Sequence, residues 1–368
     1  MKNSHRFRSL FIAVVFLTNS VAFTSCDDAS ADASAGAYAQ DAVFISNEGS
    51  YNNSNASVSY YNRSTGQVEN NIFSKQNAAL VLGDVLQSIS VLDDRAFLVV
   101  NNSQKMVVVN ANTFKAEGEV NGLVMPRYFA ALNNDKGYIT EWVTYSGNGR
   151  VSVVDLNTLT VTKTIEVGLN PEKLLVAAGK VYVANSGGKT ISVINTATDE
   201  LEATIEVNDG PNSLATDRNN NLWVASSGQK AYNPDYSVSE EGSQPGTLTR
   251  IDQATNTVAS TFTFSQKAPA PTQLSSNGNH DKLYYVYNRK VYQLDVNASD
   301  LNTTPLIDRG DYIEYGWYGF GVDPKTGYIY GGKAPDFTSN GWVVRFNPSG
   351  APVDSFAVGI APNGFAFR

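Results

Sequence analysis

Residues 169–208 read LNPEKLLVAAGKVYVANSGGKTISVINTATDELEATIEVN, and the fold is decided in this stretch. Pro171 opens a short strand over Lys173 to Ala177, Gly179 turns it, and the apolar run VYVAN follows at 181–185. A Ser-Gly-Gly turn leads to ISVIN at 191–195, and Thr196 to Asp199 turn the chain into EATIEV at 202–207. Four short β-branched runs separated by Gly, Asn and Asp turns predict four strands of one antiparallel sheet. No segment carries a sustained helical period.

The same pattern returns about every 40–45 residues from residue 41 onward, the spacing of propeller blades. Its second strand recurs as FLVV (97–100), YIT (138–140), LWVAS (222–226), LYYVY (283–287) and YIY (328–330). Its third recurs as MVVVN (106–110), VSVVDL (151–156), LTRID (248–252), VYQLD (291–295) and VVRFN (343–347), each running into a polar turn. The N-terminal copy has VFISN (43–47), ASVSYYN (56–62) and a segment near Val68 to Phe73, but no first strand. The C-terminus supplies an unmatched blade start, APNGF at 361–365. Joining the two ends completes a ring. The expected fold is therefore all-β: a seven-bladed β-propeller of four-stranded antiparallel blades, closed by pairing the C-terminal strand with the N-terminal blade. First strands are expected near residues 85, 127, 172, 212, 272, 316 and 362. Closure leaves only short, protected sheet edges.

Of the 368 residues, 42% are hydrophobic and 17% charged, ample for a core. The net charge is −8 and no Lys/Arg-rich stretch stands out, so nucleic acid and anionic membrane surfaces are poor candidate partners. The chain has one cysteine, Cys26, and two histidines, one of them at position 5. This leaves no disulfide framework and disfavours zinc.

Lys2, Arg6 and Arg8 precede an apolar run, Leu10 to Leu17, too short to span a bilayer. Thr24 and Ser25 then lead to Cys26. This start resembles a bacterial lipoprotein signal, with Phe23 where leucine is usual. The resemblance implies cleavage after residue 25, lipid attachment at Cys26 and membrane contact only through that anchor. Asp27 and Asp28 resemble the acidic export signal of Bacteroidetes surface lipoproteins, which implies a surface-exposed outer-membrane location. Losing three cations and no acid would leave the mature chain near −11. The expected organisation is a signal peptide over 1–25, a flexible tether over 26–40 and the propeller over 41–368; the tether composition, rich in Ala, Ser and Asp, has little to bury.

VYVAN and the Pro-initiated blade starts resemble the YncE-like, YVTN-repeat propellers over residues 41–368. NEGSYNNSNASVSYYN (47–62), LGDVLQSI (82–89), VVNNS (99–103) and MPRY (125–128) resemble the BtuG-type surface lipoproteins. That resemblance implies capture of cobalamin or a related corrinoid, as ligand and not as cofactor, and its delivery to a TonB-dependent outer-membrane transporter. Relatives with other ligands share such propellers. The alternatives are therefore a propeller that binds a glycan, a protein scaffold, and a calcium-dependent hydrolase.

In a propeller the loops between second and third strands share a face with the loops entering the first strands. These loops vary in length, and insertions in repeat arrays gather on the binding face. They carry Tyr51, Trp142, Tyr145, Tyr232, Tyr236, Phe337 and Trp342, aromatics that seldom stand in exposed loops without a partner surface. Each aromatic can also pack its own loop onto the rim. At the channel mouth the repeat places Gln87, Arg127, Glu172, Asn212, Thr272, Trp317 and Asn363, followed by Ser88, Tyr128, Lys173, Ser213, Gln273, Tyr318 and Gly364. A converging polar ring is either a ligand site or a hydrated channel with its charges paired. No nucleophile has a poised histidine: His280 lies in a turn on the opposite face, so Ser–His–Asp chemistry is not expected. Glu172, Asn212 and Asn363 have the donor types of a calcium-dependent lactonase, but Arg127 in the same ring opposes a divalent ion. No catalytic residue and no metal site is therefore assigned.

Overall fold

The computed structural model describes residues 36–78, 80–308 and 317–368. The signal, Cys26 and the Asp27-Asp28 pair lie outside the described residues. Among those described, no helix is long and apolar enough to cross a membrane.

Residues 36–368 form seven antiparallel blades, as the repeats predict. Blade four is built from Pro171–Ala177, Lys180–Asn185, Thr190–Asn195 and Glu200–Glu206, in that order from the axis outward. Its second and third strands are buried and its outer strand is mostly exposed. The unbroken apolar runs that mark the second strands now have a cause. Each lies between two neighbouring blades and is covered on both faces, so an alternating pattern would bury polar side chains. Seven hydrophobic clusters result, one at each junction between neighbouring blades. The cluster that closes the ring joins Val43 and Ile45 of blade one to Tyr330 and Val343 of blade seven.

Closure follows the predicted pairing. Pro362–Phe367 is the inner strand of blade one and pairs with Ala42–Asn47, Val43 lying opposite Phe367 and Ile45 opposite Phe365. Arg63 adds a two-pronged ion pair to Asp323 at 2.9 and 3.0 Å, from blade one to blade seven.

Four details differ from the expectation. In blade one, only Val68–Glu69 is strand; a five-residue helix, Ile72–Gln76, then buries Ile72 and Phe73. In blade six, the fourth position is held among the described residues by a single bridge, Val291 to Ile307. Residues 36–40 include Tyr38, which is 1% exposed and packs edge-on against Tyr60, so this part of the expected tether belongs to the core. An aromatic ring gains more by burial than a surrounding Ala/Ser tract can suggest. The third strand of blade seven begins at Asn340, ahead of the expected VVRFN run at 343–347.

Candidate functional site

The inner strands share one local device. In six blades the pairing between first and second strands slips by one residue immediately after the blade start. The slips fall at Gln87, Arg127–Tyr128, Glu172–Lys173, Asn212, Thr272–Ser275 and Asn363. A bulge inserts one residue and re-aims its side chain. Here it turns consecutive residues toward the axis, which is why the ring expected from the repeat forms.

At the mouth, a cavity of about 390 Å³ is lined by Glu48, Tyr51, Gln87, Arg127, Tyr128 and Tyr318, among others. Arg127 meets Glu172 through two parallel bonds, Nε to Oε2 at 2.9 Å and an Nη to Oε1 at 2.7 Å. The Trp142 ring lies 4.3 Å from the Arg127 guanidinium, and its Nε1 donates to Glu172 Oε2 at 3.1 Å. Tyr145 packs edge-on against Trp142 at 6.1 Å. Burial works against the charge of Arg127, but Glu172 outweighs it and holds the guanidinium above its usual range.

A second cluster faces this one. Tyr318 Oη donates to Glu48 Oε2 at 2.5 Å, and Asn363 Nδ2 donates to Glu48 Oε1 at 2.9 Å. Burial pushes the Glu48 carboxyl above the ordinary carboxylate range, against these two bonds and the field of Arg127. Burial, with Glu48 adding to it, likewise raises the Tyr318 phenol. Phe337 stands edge-on to Tyr318 at 5.0 Å, and Ser50 Oγ donates to the Phe337 carbonyl, tying the blade-one loop to the blade-seven loop.

The structure thus brings Tyr51, Trp142, Tyr145, Phe337, Gln87, Arg127, Tyr128, Glu172, Tyr318 and Asn363 together at one mouth. It does not bring all the expected residues there. Tyr232 and Tyr236 stand on a small ribbon of the blade-five loop, Tyr236 being 88% exposed. Trp342 lies within the third strand of blade seven, half exposed. Asn212 is tied down: its Nδ2 donates to Ser227 Oγ and to the Pro271 carbonyl, both at 2.9 Å. Trp317 is a correction. It is 5% exposed, and its ring packs between blades six and seven against Phe320 and Phe346. Blade seven has no proline start, and its second strand carries Gly331 where a Cβ would sit 2.3 Å from the Trp317 ring. The bare glycine makes the slot that draws Trp317 inward, and Tyr318 takes the axial place. In blade six, Gln273 rather than Thr272 lines the mouth.

Glu48 was missed by the sequence. It follows the second strand of blade one directly, the repeat position of Asn101 in blade two and Trp142 in blade three. Residues there turn back over the axis, so the first residue of each second-to-third loop was the available signal.

The calcium reading finds its donors engaged. Glu172 accepts from Arg127 and Trp142, and the Asn363 side-chain oxygen accepts from Ser46 at 2.5 Å. Among the described residues no group of three or more His, Cys, Asp or Glu is placed to hold a metal ion. His280 is exposed, with Nδ1 within 3.1 Å of Ser276 Oγ and of the Thr216 carbonyl.

A larger groove of about 800 Å³ lies between blades five and six, where the fourth strand of blade six is reduced to its bridge. Phe262, Phe264, Tyr287 and Tyr292 line it. None of the residues expected to bind ligand lies there.

Fold and mouth together define a seven-bladed β-propeller with a charged, aromatic-rimmed channel opening. The chain belongs to the family described as Domain of unknown function (DUF5074), whose model matches residues 41–365. No curated protein sequence matches it significantly. Solved structures share the fold at low identity. A quinonprotein alcohol dehydrogenase-like protein from Bacteroides thetaiotaomicron is 13% identical with a TM-score of 0.65, covering 89% of this chain and 78% of that one. The periplasmic gluconolactonase PpgL from Pseudomonas aeruginosa is 12% identical with a TM-score of 0.63, covering 88% and 99%. Hydrazine synthase from Kuenenia stuttgartiensis is 18% identical with a TM-score of 0.61, covering 76% and 88%. Some propellers of this shape are therefore enzymes, and nothing shows that this one is.

Proposed function

We propose that this protein is a lipid-anchored outer-membrane surface protein that captures cobalamin or a related corrinoid at the channel mouth and passes it to a TonB-dependent transporter. The observation that carries the reading is the mouth itself. A concave opening presents the Tyr51, Tyr128 and Tyr318 rings beside Arg127, which Glu172 pins and the Trp142 ring stacks, and beside the Glu48–Asn363 cluster. Flat aromatic faces next to fixed polar groups suit a large macrocycle with amide side chains. The arrangement is built for holding: its charged groups are already paired, so binding requires no rearrangement of them. The lipoprotein-like start and the BtuG-like blades one and two support the location and the ligand class.

The test is calorimetric titration of the protein with cobalamin and with cobinamide, alongside co-migration on gel filtration. Saturable heat and co-migration support the reading; no heat and no co-migration overturn it. A glycan is the second ligand class, favoured by Tyr145, Tyr232 and Tyr236, which stand 62–88% exposed on the loop face. Binding of oligosaccharides in place of corrinoids would select it. Co-purification with an outer-membrane transporter tests the delivery step, and recovery of the protein alone counts against a stable complex.

A further inference from the structure

The channel does not end at the mouth. Gln273 lines the upper cavity and also a lower one of about 350 Å³, which reaches the turn at Asn277 and His280 on the opposite face. Lys173, Ser213, Gln273, Ser275 and Ser276 supply the polar atoms of the lower wall, and no carboxylate lines it. In an acidic chain of net charge −8, a chamber walled without acids is a local reversal of sign.

Lys173 is what sets this chamber apart. The other channel cation, Arg127, is held by Glu172. Among the described residues the Lys173 ammonium has no hydrogen bond and no ion pair, and only stands 3.9 Å over the Tyr128 ring. A ring face offsets part of a cation's lost hydration but supplies no counter-charge. The bulge after Pro171 sends Glu172 to Arg127 and leaves Lys173 to the chamber.

We propose that the lower chamber is an anion site, which takes a small oxyanion, a carboxylate or a phosphate, on the Lys173 ammonium with the Gln273 amide and the Ser275 hydroxyl in the same wall. The anion supplies the counter-charge the protein withholds. The site is separate from the loop-face ligand and does not depend on its identity. Burial lowers the Lys173 pKa to about 8, Arg127 acting in the same direction and Glu172 against it. The remaining titratable groups around it are Tyr128 beneath the ammonium and His280 at the far opening. Affinity for an ionised oxyanion therefore falls as pH rises through the Lys173 transition, because the neutral amine offers no charge, and for a carboxylate it falls again where the ligand itself is protonated, below about pH 5.

The experiment follows the lysine Cε resonances of selectively 13C-labelled protein while sodium phosphate and sodium acetate are titrated separately. A saturable shift of the Lys173 signal with either anion is expected, and the anion that saturates it assigns the class. Calorimetric titration with the same two salts reads the variants, which lack the labelled reporter: Lys173→Arg is expected to retain binding, and Lys173→Met to lose about tenfold or more, the scale of one charge-assisted bond. Corrinoid titration of the wild-type protein should give the same affinity with and without saturating anion, which separates this site from the mouth. The proposal is overturned if neither anion shifts Lys173 saturably in the wild-type protein. It is also overturned if a folded Lys173→Met binds phosphate or acetate as the wild type does.

Discussion

Replacing Arg127 by Met tests whether the mouth is held by charge. The substitution keeps an unbranched apolar stem and removes both bonds to Glu172, together with the stacking on Trp142. Breaking a buried ion pair from one side costs about 3–5 kcal/mol, because the remaining charge stays desolvated. The side chains here keep 18% and 15% of their exposure, and water in the channel partly solvates Glu172. About 2 kcal/mol is the expected loss. For a domain of this size the unfolding entropy is on the order of 0.7 kcal/mol/K, so the melting temperature should fall by about 3 °C. Urea unfolding followed by tryptophan fluorescence reads the loss, with Trp142 reporting directly on the pair. The double variant Arg127→Met, Glu172→Met should recover most of it, since it leaves no orphaned charge. If the double variant loses the sum of the two single losses, or if Arg127→Met costs under about 0.5 kcal/mol, the pair does not hold the mouth.

Trp142→Ala should weaken corrinoid binding by about 2 kcal/mol or more, the scale of a hot-spot aromatic. Tyr236→Ala and Trp342→Ala should weaken it less, because neither stands against the Arg127–Glu172 pair; calorimetry that ranks Tyr236 first would contradict the site. Glu48→Gln should be more stable than wild type at neutral pH. Burial raises the Glu48 pKa, so the folded chain disfavours the ionised form, a cost that appears as pH climbs through the unfolded carboxylate range. Below about pH 4 the two proteins should unfold alike, and a Gln variant that is less stable at neutral pH would refute the sign. Deleting residues 362–368 removes the inner strand of blade one with the part-buried rings of Phe365 and Phe367. At about 1.5–3 kcal/mol per buried large side chain, plus the ladder bonds, the loss rivals the whole stability of a domain. The truncated chain should show no cooperative thermal transition by circular dichroism, and a sharp one would mean that closure is dispensable.

The architecture was legible because its signals are local. Most second strands centre on an apolar run, since each is covered by a blade on either side. Each turn uses the same few polar residues, and the half-repeat at 361–365 announces its missing partner at 41. The bulge after the blade start was visible only as its outcome, a polar residue following proline. In blade seven, where the first two strands pair without that slip, the repeat alignment placed Trp317 on the axis, and the glycine that pulls it away lies on another strand. Tyr38 was misread for a similar reason: its neighbours are tether-like, and the pocket that buries it is made by Tyr60 and Phe114.

By itself, the sequence determined the number of blades, the closure of the ring and the face that carries the long loops. Tertiary structure alone decided which charges meet. Glu48 and Tyr318 are joined across the ring closure, and Arg127 finds Glu172 one blade further on. Lys173, next to Glu172 in the chain, is left without a counter-charge. A propeller sets seven distant inner strands side by side around one axis, so the chemistry of the channel depends on neighbours that no repeat of about 40 residues contains.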